Sequence, residues 1–166
     1  MPLFRNFLPL VKSQYSFTPT GNTTADVLQV TFELPAGCLG ANGILEGNLW
    51  TSCTASANAK RIRAYISNTN DGLAGTRFVS FNIGGASSTA ISGMRGFFIC
   101  NKGSQSAQII QPSASGGSGS TTSTADYEEL TINTAQTFYI TIGLQKDVGT
   151  ETFNMRMARL VATYSV

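Results

Sequence analysis

The chain has 166 residues, enough for one domain with a sizeable core, since folding a chain of this length buries roughly 70% of the surface exposed when it is unfolded. Only 12% of the residues are charged, and 11 Lys and Arg against 9 Asp and Glu leave a net +2, too balanced for the concentrated basic surface that nucleic-acid binding requires. Histidine is absent, which removes Ser-His-Asp and Cys-His catalysis and the usual zinc sets.

Cys38, Cys53 and Cys100 have no C-x-x-C spacing, and the two that lie in strand-like runs read as small buried thiols, which fits synthesis in a reducing cytosol. The first residues, Met1 to Val11, are apolar but broken by Arg5 and Pro9 and carry no small-residue cleavage site, a poor signal peptide. No apolar run reaches the length of about 18 residues that a membrane span needs.

In chain order, Phe4, Phe7, Leu8 and Val11 recur at three- and four-residue spacing. Pro9 argues against a long helix, so residues 1–12 are expected to form an arm that docks on its own domain or on a neighbouring subunit. Residues 13–166 are expected to form one domain. Gln14 to Thr18 alternates around Tyr15 and Phe17 as a first, edge strand. Asp26 to Leu34 places Leu28, Val30, Phe32 and Leu34 on one face. Leu34-Pro35 stops that strand, and Gly37, Gly40 and Asn42-Gly43 turn the chain.

From Ile44 to Thr54 the alternation puts Leu45, Gly47, Leu49, Thr51 and Cys53 on one face and Glu46, Asn48, Trp50 and Ser52 on the other. After a short turn, Lys60 to Ile66 sends Ile62, Ala64 and Ile66 inward and Arg61, Arg63 and Tyr65 outward, and the two runs read as a hairpin. Asn68 to Gly75 is a turn, and Arg77 to Ile83 resumes with Val79, Phe81 and Ile83 inward. Met94 to Cys100, apolar almost throughout, is expected to be covered on both faces. Gln105 to Gln111 reads as an edge. Pro112 to Ala125 has no side chain large enough to pack and is expected to be a mobile surface loop.

Asp126 to Asn133 offers Leu130 and Ile132 to the core, and Gln136 to Lys146 offers Phe138, Ile140, Ile142 and Leu144. The last run starts in phase on Phe153, Met155 and Met157 but ends in the opposite phase on Leu160, Ala162, Tyr164 and Val166, which a bulge near Ala158-Arg159 would reconcile. No segment sustains a helical period. About nine or ten short strands with turn signals between them predict an antiparallel β-sandwich of jelly-roll type. Its predicted core is Leu28, Val30, Phe32, Leu45, Leu49, Ile62, Ile66, Phe81, Phe98, Phe138, Ile140 and Ile142.

Candidate chemistry is sparse. Asp126, Glu128 and Glu129 are the clustered carboxylates, and they read as a solvated strand start before a glycosidase pair. Asn68, Asn70 and Asp71 resemble half of a calcium loop without its closing glutamate. Lys60, Arg61 and Arg63 read as a solvated or interface face. Trp50 and Tyr65, on the polar faces of their strands, suit a subunit interface or stacking on a sugar ring. No catalytic, cofactor or metal residues are expected, and neither a nucleic acid nor a membrane is an expected partner.

Three stretches, LPAGCLGANGILEGNLW, SANAKRIRAYI and the closing QTFYITIGLQKDVGTETFNMRMARLVATYS, resemble a pattern met in small structural proteins of tailed bacteriophages, over about residues 26 to 166. The resemblance implies a β-sandwich subunit, commonly trimeric, that is a decoration or cement protein of the head or a domain of a tail fibre or receptor-binding protein. It brings no catalytic residues. With no coiled-coil or shaft pattern ahead of the sandwich, the head subunit is the first expectation. It would be located in the virion, bound to the major capsid protein, with Phe4, Phe7, Leu8 and Val11 as its grip. The alternative is a receptor-binding domain that recognises host glycan through Trp50 and Tyr65.

Overall fold

The computed structural model describes residues 9–83, 91–112 and 128–165, with the side chains at 91, 92, 111, 112 and 128 left aside. Ten strands follow one another: β1 (Leu10–Gln14), β2 (Val27–Leu34), β3 (Ile44–Cys53), β4 (Lys60–Ser67), β5 (Thr76–Asn82), β6 (Ile91–Asn101), β7 (Gln108–Pro112), β8 (Glu128–Leu130), β9 (Phe138–Lys146) and β10 (Phe153–Thr163). A single 3-10 turn, Gly72–Ala74, precedes β5. The strands form two antiparallel sheets, a six-stranded one in the order β1-β10-β3-β6-β7-β8 and a four-stranded one in the order β2-β9-β4-β5. Without β7 and β8, the remaining strands neighbour one another as β1 with β10, β2 with β9, β3 with β6 and β4 with β5. That is one long hairpin rolled over on itself, the connectivity of a jelly roll. The predicted fold class stands.

The core lies between the inner faces. Leu45, Leu49, Phe97, Ile99 and Leu160 from the larger sheet meet Phe32, Ile62, Ile66, Phe81, Phe138, Ile140 and Ile142 from the smaller, all buried. Three of the expected core residues sit elsewhere. A bulge between Leu28 and Val30 turns Gln29 inward and leaves Leu28 exposed on the outer face, and Val30 is half-buried against the core. In β6 the inward residues are Phe97 and Ile99, so Phe98 points outward. That strand is covered on one face only, since Met94 is exposed.

The expected hairpin of Ile44–Thr54 with Lys60–Ile66 does not form, because β3 belongs to the six-stranded sheet and β4 to the four-stranded one. Period two tells which residues share a face and says nothing about which strand lies alongside. β7 is flanked by β6 and β8 and is not itself the edge. The first strand is an edge as expected but ends at Gln14, where the expected one began, and Tyr15 to Thr18 is not strand. Leu10, Val11 and Lys12, assigned to the arm, pair with Ala162, Val161 and Leu160 of β10. The bulge in β10 falls between Met155 and Met157, two residues before the expected place. Most of the expected loop at 112–125 lies outside the described residues.

Polar side chains close both ends of the sandwich. At one end Asn101 donates to the Gly40 carbonyl at 2.6 Å and to Thr134 Oγ1 at 2.8 Å, while Gln108 donates to the Ile132 carbonyl and accepts from the Ile132 amide, each at 2.9 Å. At the other end two lysines, Lys60 and Lys146, face each other across β4 and β9 with 1% and 2% of their surfaces exposed. Lys146 Nζ donates to the carbonyls of Gly21 and Glu151. Lys60 Nζ donates to Ser56 Oγ at 2.7 Å and lies 2.8 Å from the Glu151 carboxylate, which also accepts from Asn58 Nδ2 at 2.8 Å.

Hydrogen bonds from Lys60, Ser56 and Asn58 pull the Glu151 carboxyl down to about 2 from its ordinary 4.5. A carboxylate whose folded value is depressed adds stability that is fully present above the unfolded value and lost as the pH falls through the folded one. Asp147, lowered mainly by its hydrogen bond from Arg61, acts in the same direction. Acid unfolding should therefore steepen between pH 4.5 and 2. Glu151→Gln should flatten that limb, as followed by denaturant titrations at a series of pH values.

Candidate functional site

The two outer faces of the sandwich differ in kind. On the four-stranded sheet the side chains satisfy one another. Asp26 Oδ2 accepts from Arg63 Nη1 and from the Tyr65 hydroxyl, each at 2.7 Å, and Arg61 reaches Gln145 Oε1 and Asp147 Oδ1, each at 2.5 Å. The hydroxyls of Thr31 and Thr141 bond at 3.0 Å. Leu73 of the 3-10 turn packs over Gly143, where an added Cβ would meet its Cδ2 at 2.8 Å.

The six-stranded sheet leaves its outer face open, with large apolar side chains exposed among polar ones. Trp50 of β3 lies between Met94 of β6 and Met157 of β10. Ile44 sits beside Cys100, which sits beside Ile109 of β7. Val11 of β1 pairs with Val161 of β10. Cross-strand partners share a face, so these side chains form one surface. Val11, Ile44, Trp50 and Met94 are 46%, 42%, 46% and 58% exposed. Two polar rows divide the apolar side chains: exposed Arg159 beside Asn48 separates Trp50 and its methionines from Val11 and Val161, and Glu46, whose Oε1 accepts from Asn48 Nδ2 at 2.8 Å, lies between Val161 and Phe98. Exposed Trp and Met among scattered polar groups are the composition of a protein-contact surface.

This geometry sorts the residues singled out in the sequence. Val11 and Trp50 belong to the open face, and Phe4, Phe7 and Leu8 lie outside the described residues. Tyr65 is on the other sheet, 6% exposed, with its hydroxyl on Asp26. Burial and the Asp26 carboxylate raise its pKa, and its ring is closed to a sugar, so Trp50 and Tyr65 form no common stacking platform. The run Lys60, Arg61 and Arg63 is no basic patch: the three pair with Glu151, Asp147 and Asp26.

Asn68 is a structural brace, donating to the carbonyls of Asn133 and Thr137, and Asp71 accepts from Ser67 and Thr69 within its own turn. Among the described residues no group of three His, Cys, Asp or Glu is placed to hold a metal ion. Glu129 is exposed and pairs with Lys102 at 3.1 Å, while Asp126 and the Glu128 side chain lie outside the described residues. The three cysteines form no disulfide. Burial pushes Cys38 up to about 11 and raises Cys100 as well, so neither is an activated nucleophile. Among the described residues no helix is long and apolar enough to cross a membrane.

Met94 and Met157 escaped the sequence reading. The readable signal was an aromatic, Trp50, on the polar face of an alternating strand, but its neighbours follow only from the register.

Fold and face together define an all-β jelly-roll sandwich whose six-stranded sheet exposes Val11, Ile44, Trp50 and Met94 on its outer face. No family model and no curated protein matches the sequence. Among solved structures the chain is similar to the CBM2 module of the evolved Dit of Lactobacillus casei BL23 phage J-1, with 10% identity and a TM-score of 0.40 over 79% of this chain and 67% of that one. It is also similar to the infectious bursal disease virus VP2 subviral particle, with 10% identity and a TM-score of 0.40, where it covers 36% of the longer chain. Peanut lectin aligns over 96% of this chain and 94% of its own, with 8% identity and a TM-score of 0.39. What the chain does is read from its own surface.

Proposed function

We propose that the protein is a structural subunit of a bacteriophage virion, a decoration or cement protein that attaches as a homotrimer to the outside of the head, contacts the major capsid protein and stabilises the shell without catalysing a reaction. The observation that carries the reading is the open face of the six-stranded sheet, whose exposed apolar side chains suit packing against protein. On the opposite sheet Arg61 and Arg63 are already paired with Asp147 and Asp26, and the sequence resemblance to small phage structural proteins points the same way. Phe4, Phe7, Leu8 and Val11 would supply the grip on the shell or on a neighbouring subunit, because the chain enters β1 at the edge of the open face.

Removing residues 1–8 tests this grip without touching the sandwich, because β1 begins at Leu10 and a cut after residue 12 would strip three pairs from β10. The truncated chain should keep its β-type circular dichroism and melting temperature yet fail to co-sediment with heads that lack the subunit. Full binding by the truncated chain would remove the arm from the account. If the intact protein goes only to tails, the receptor-binding alternative replaces the head assignment.

A further inference from the structure

Where the open face meets the end of the sandwich closed by the two lysines, a furrow runs across the first half of β10. Three depressions make it up. One of about 500 Å³ is lined by Ser52, Thr54, Thr152, Asn154 and Arg156. The next, of about 340 Å³, is lined by Tyr15 to Pro19 with Asn154 and Arg156. The third, of about 170 Å³, lies between Pro19 to Asn22 and Asn154, with Lys146 and the carboxylate of Glu151, already paired with Lys60, in its wall. Asn154 lines all three.

The walls are pinned to the fold. Thr20 Oγ1 donates to the Phe153 carbonyl at 2.9 Å, Gln14 Nε2 holds the Ser16 carbonyl at 2.7 Å, and the Thr54 amide donates to the Thr152 carbonyl at 2.9 Å. The furrow is therefore preformed.

Its floor carries groups with little to do inside the fold. The β10 bulge between Met155 and Met157 sets Arg156 off the ladder, and bulges are a common way to re-aim a side chain. Arg156 Nε donates to Ser52 Oγ at 2.7 Å, and among the described residues no carboxylate pairs with its guanidinium. The half-buried Asn154 carboxamide has no hydrogen-bond partner among the described residues. Tyr15, 68% exposed, presents its ring at the rim.

A flat aromatic ring, a planar carboxamide and an unopposed guanidinium along a hydroxyl-lined furrow match the three demands of an acidic sugar: a face for its C–H groups, a fork for its hydroxyls and a partner for its carboxylate. We propose that this furrow is a saccharide-binding site for a glycan bearing a carboxylate, with Tyr15 as the stacking surface, Asn154 on the hydroxyls and Arg156 on the acid. The furrow borders the attachment face, since Ser52 follows Trp50 on the same face of β3 and pairs with Asn154, but sugar binding by the isolated chain is read without particles, so its failure and that of the attachment reading are distinguishable.

The test is an NMR titration of the full chain with oligosaccharides containing galacturonic, glucuronic or sialic acid, with maltotriose as the neutral control. At least one acidic probe should shift the amides of Tyr15, Asn154 and Arg156 with saturation, and Arg156→Gln should weaken it by about tenfold, the worth of one charge-assisted bond. Tyr15→Ala should weaken it as well, and Tyr15→Phe should retain it. No shift at these amides with any acidic probe at millimolar concentration overturns the site, and so does binding that survives Tyr15→Ala and Arg156→Gln unchanged. Maltotriose binding as tightly as the acids overturns the assignment to charged sugars.

Discussion

Gly47→Val should lower the melting temperature by about 10 °C, the shift that about 3 kcal/mol produces in a domain of this size. Gly47 is opposite Phe97 in the β3–β6 register, and the Phe97 ring lies flat over the space where a side chain would start. A Cβ at position 47 would meet Phe97 Cζ at 2.2 Å and Cε1 at 2.3 Å. The ring has nowhere to go: it is fully buried and packed edge-to-face on Phe78 at a centroid distance of 5.1 Å and 82°. Glycine is thus required here for space, because the close approach of a neighbouring ring leaves no room for a methyl group. Thermal denaturation of Gly47→Ala, Gly47→Val and their combinations with Phe97→Leu checks the mechanism. The glycine substitutions should cost less in the Phe97→Leu background, whereas strict additivity would place the strain elsewhere.

The second large effect concerns the open face. Trp50, Met94, Ile44 and Val11 are about half exposed, so covering them contributes about 1 kcal/mol each, half the usual value for full burial of a large apolar side chain. Repeated over the copies of an oligomer, that modest sum becomes firm attachment through avidity. Trp50→Ala should therefore release most of the subunit from particles while leaving its fold intact, because the side chain is not part of the core between the sheets. Retained occupancy, measured by quantifying the subunit in purified particles, would mean that this aromatic is not an anchor.

Much of this architecture was legible in the sequence. The clean alternation of Leu45, Leu49, Thr51 and Cys53 in β3, and of Phe138, Ile140, Ile142 and Leu144 in β9, marks inward faces that the structure retains. What alternation cannot carry is partnership, and so β3 and β4 read as a hairpin although the jelly roll assigns them to opposite sheets. One phase error came from a bulge: Leu28 reads as core only if β2 is regular, and the extra residue near Gln29 reverses it, whereas Phe98 lies in a regular stretch of β6 whose unbroken apolar run does not show which face is inward.

Charge was misread at Lys60, which looks like the start of a solvated run. Its partner Glu151 lies in the β9–β10 connection, distant in sequence and close only after the sheets close. Tyr65 was misread for a related reason, since its cover comes from Asp26 and the 3-10 turn. The furrow at Asn154 depends on a bulge and on three separate segments, and no local pattern announces it.

The attachment face is tested most directly by a matched pair of charge insertions, Met94→Glu on the open face and Leu28→Glu on the outer face of the opposite sheet. Both residues are exposed, at 58% and 44%, so neither change disturbs the core. Each variant is mixed with heads lacking the subunit, and occupancy is read from the sedimented particles. The account predicts that Leu28→Glu binds as the unaltered protein does and that Met94→Glu stays in the supernatant. Normal binding by Met94→Glu, or loss of binding by Leu28→Glu alone, would contradict it.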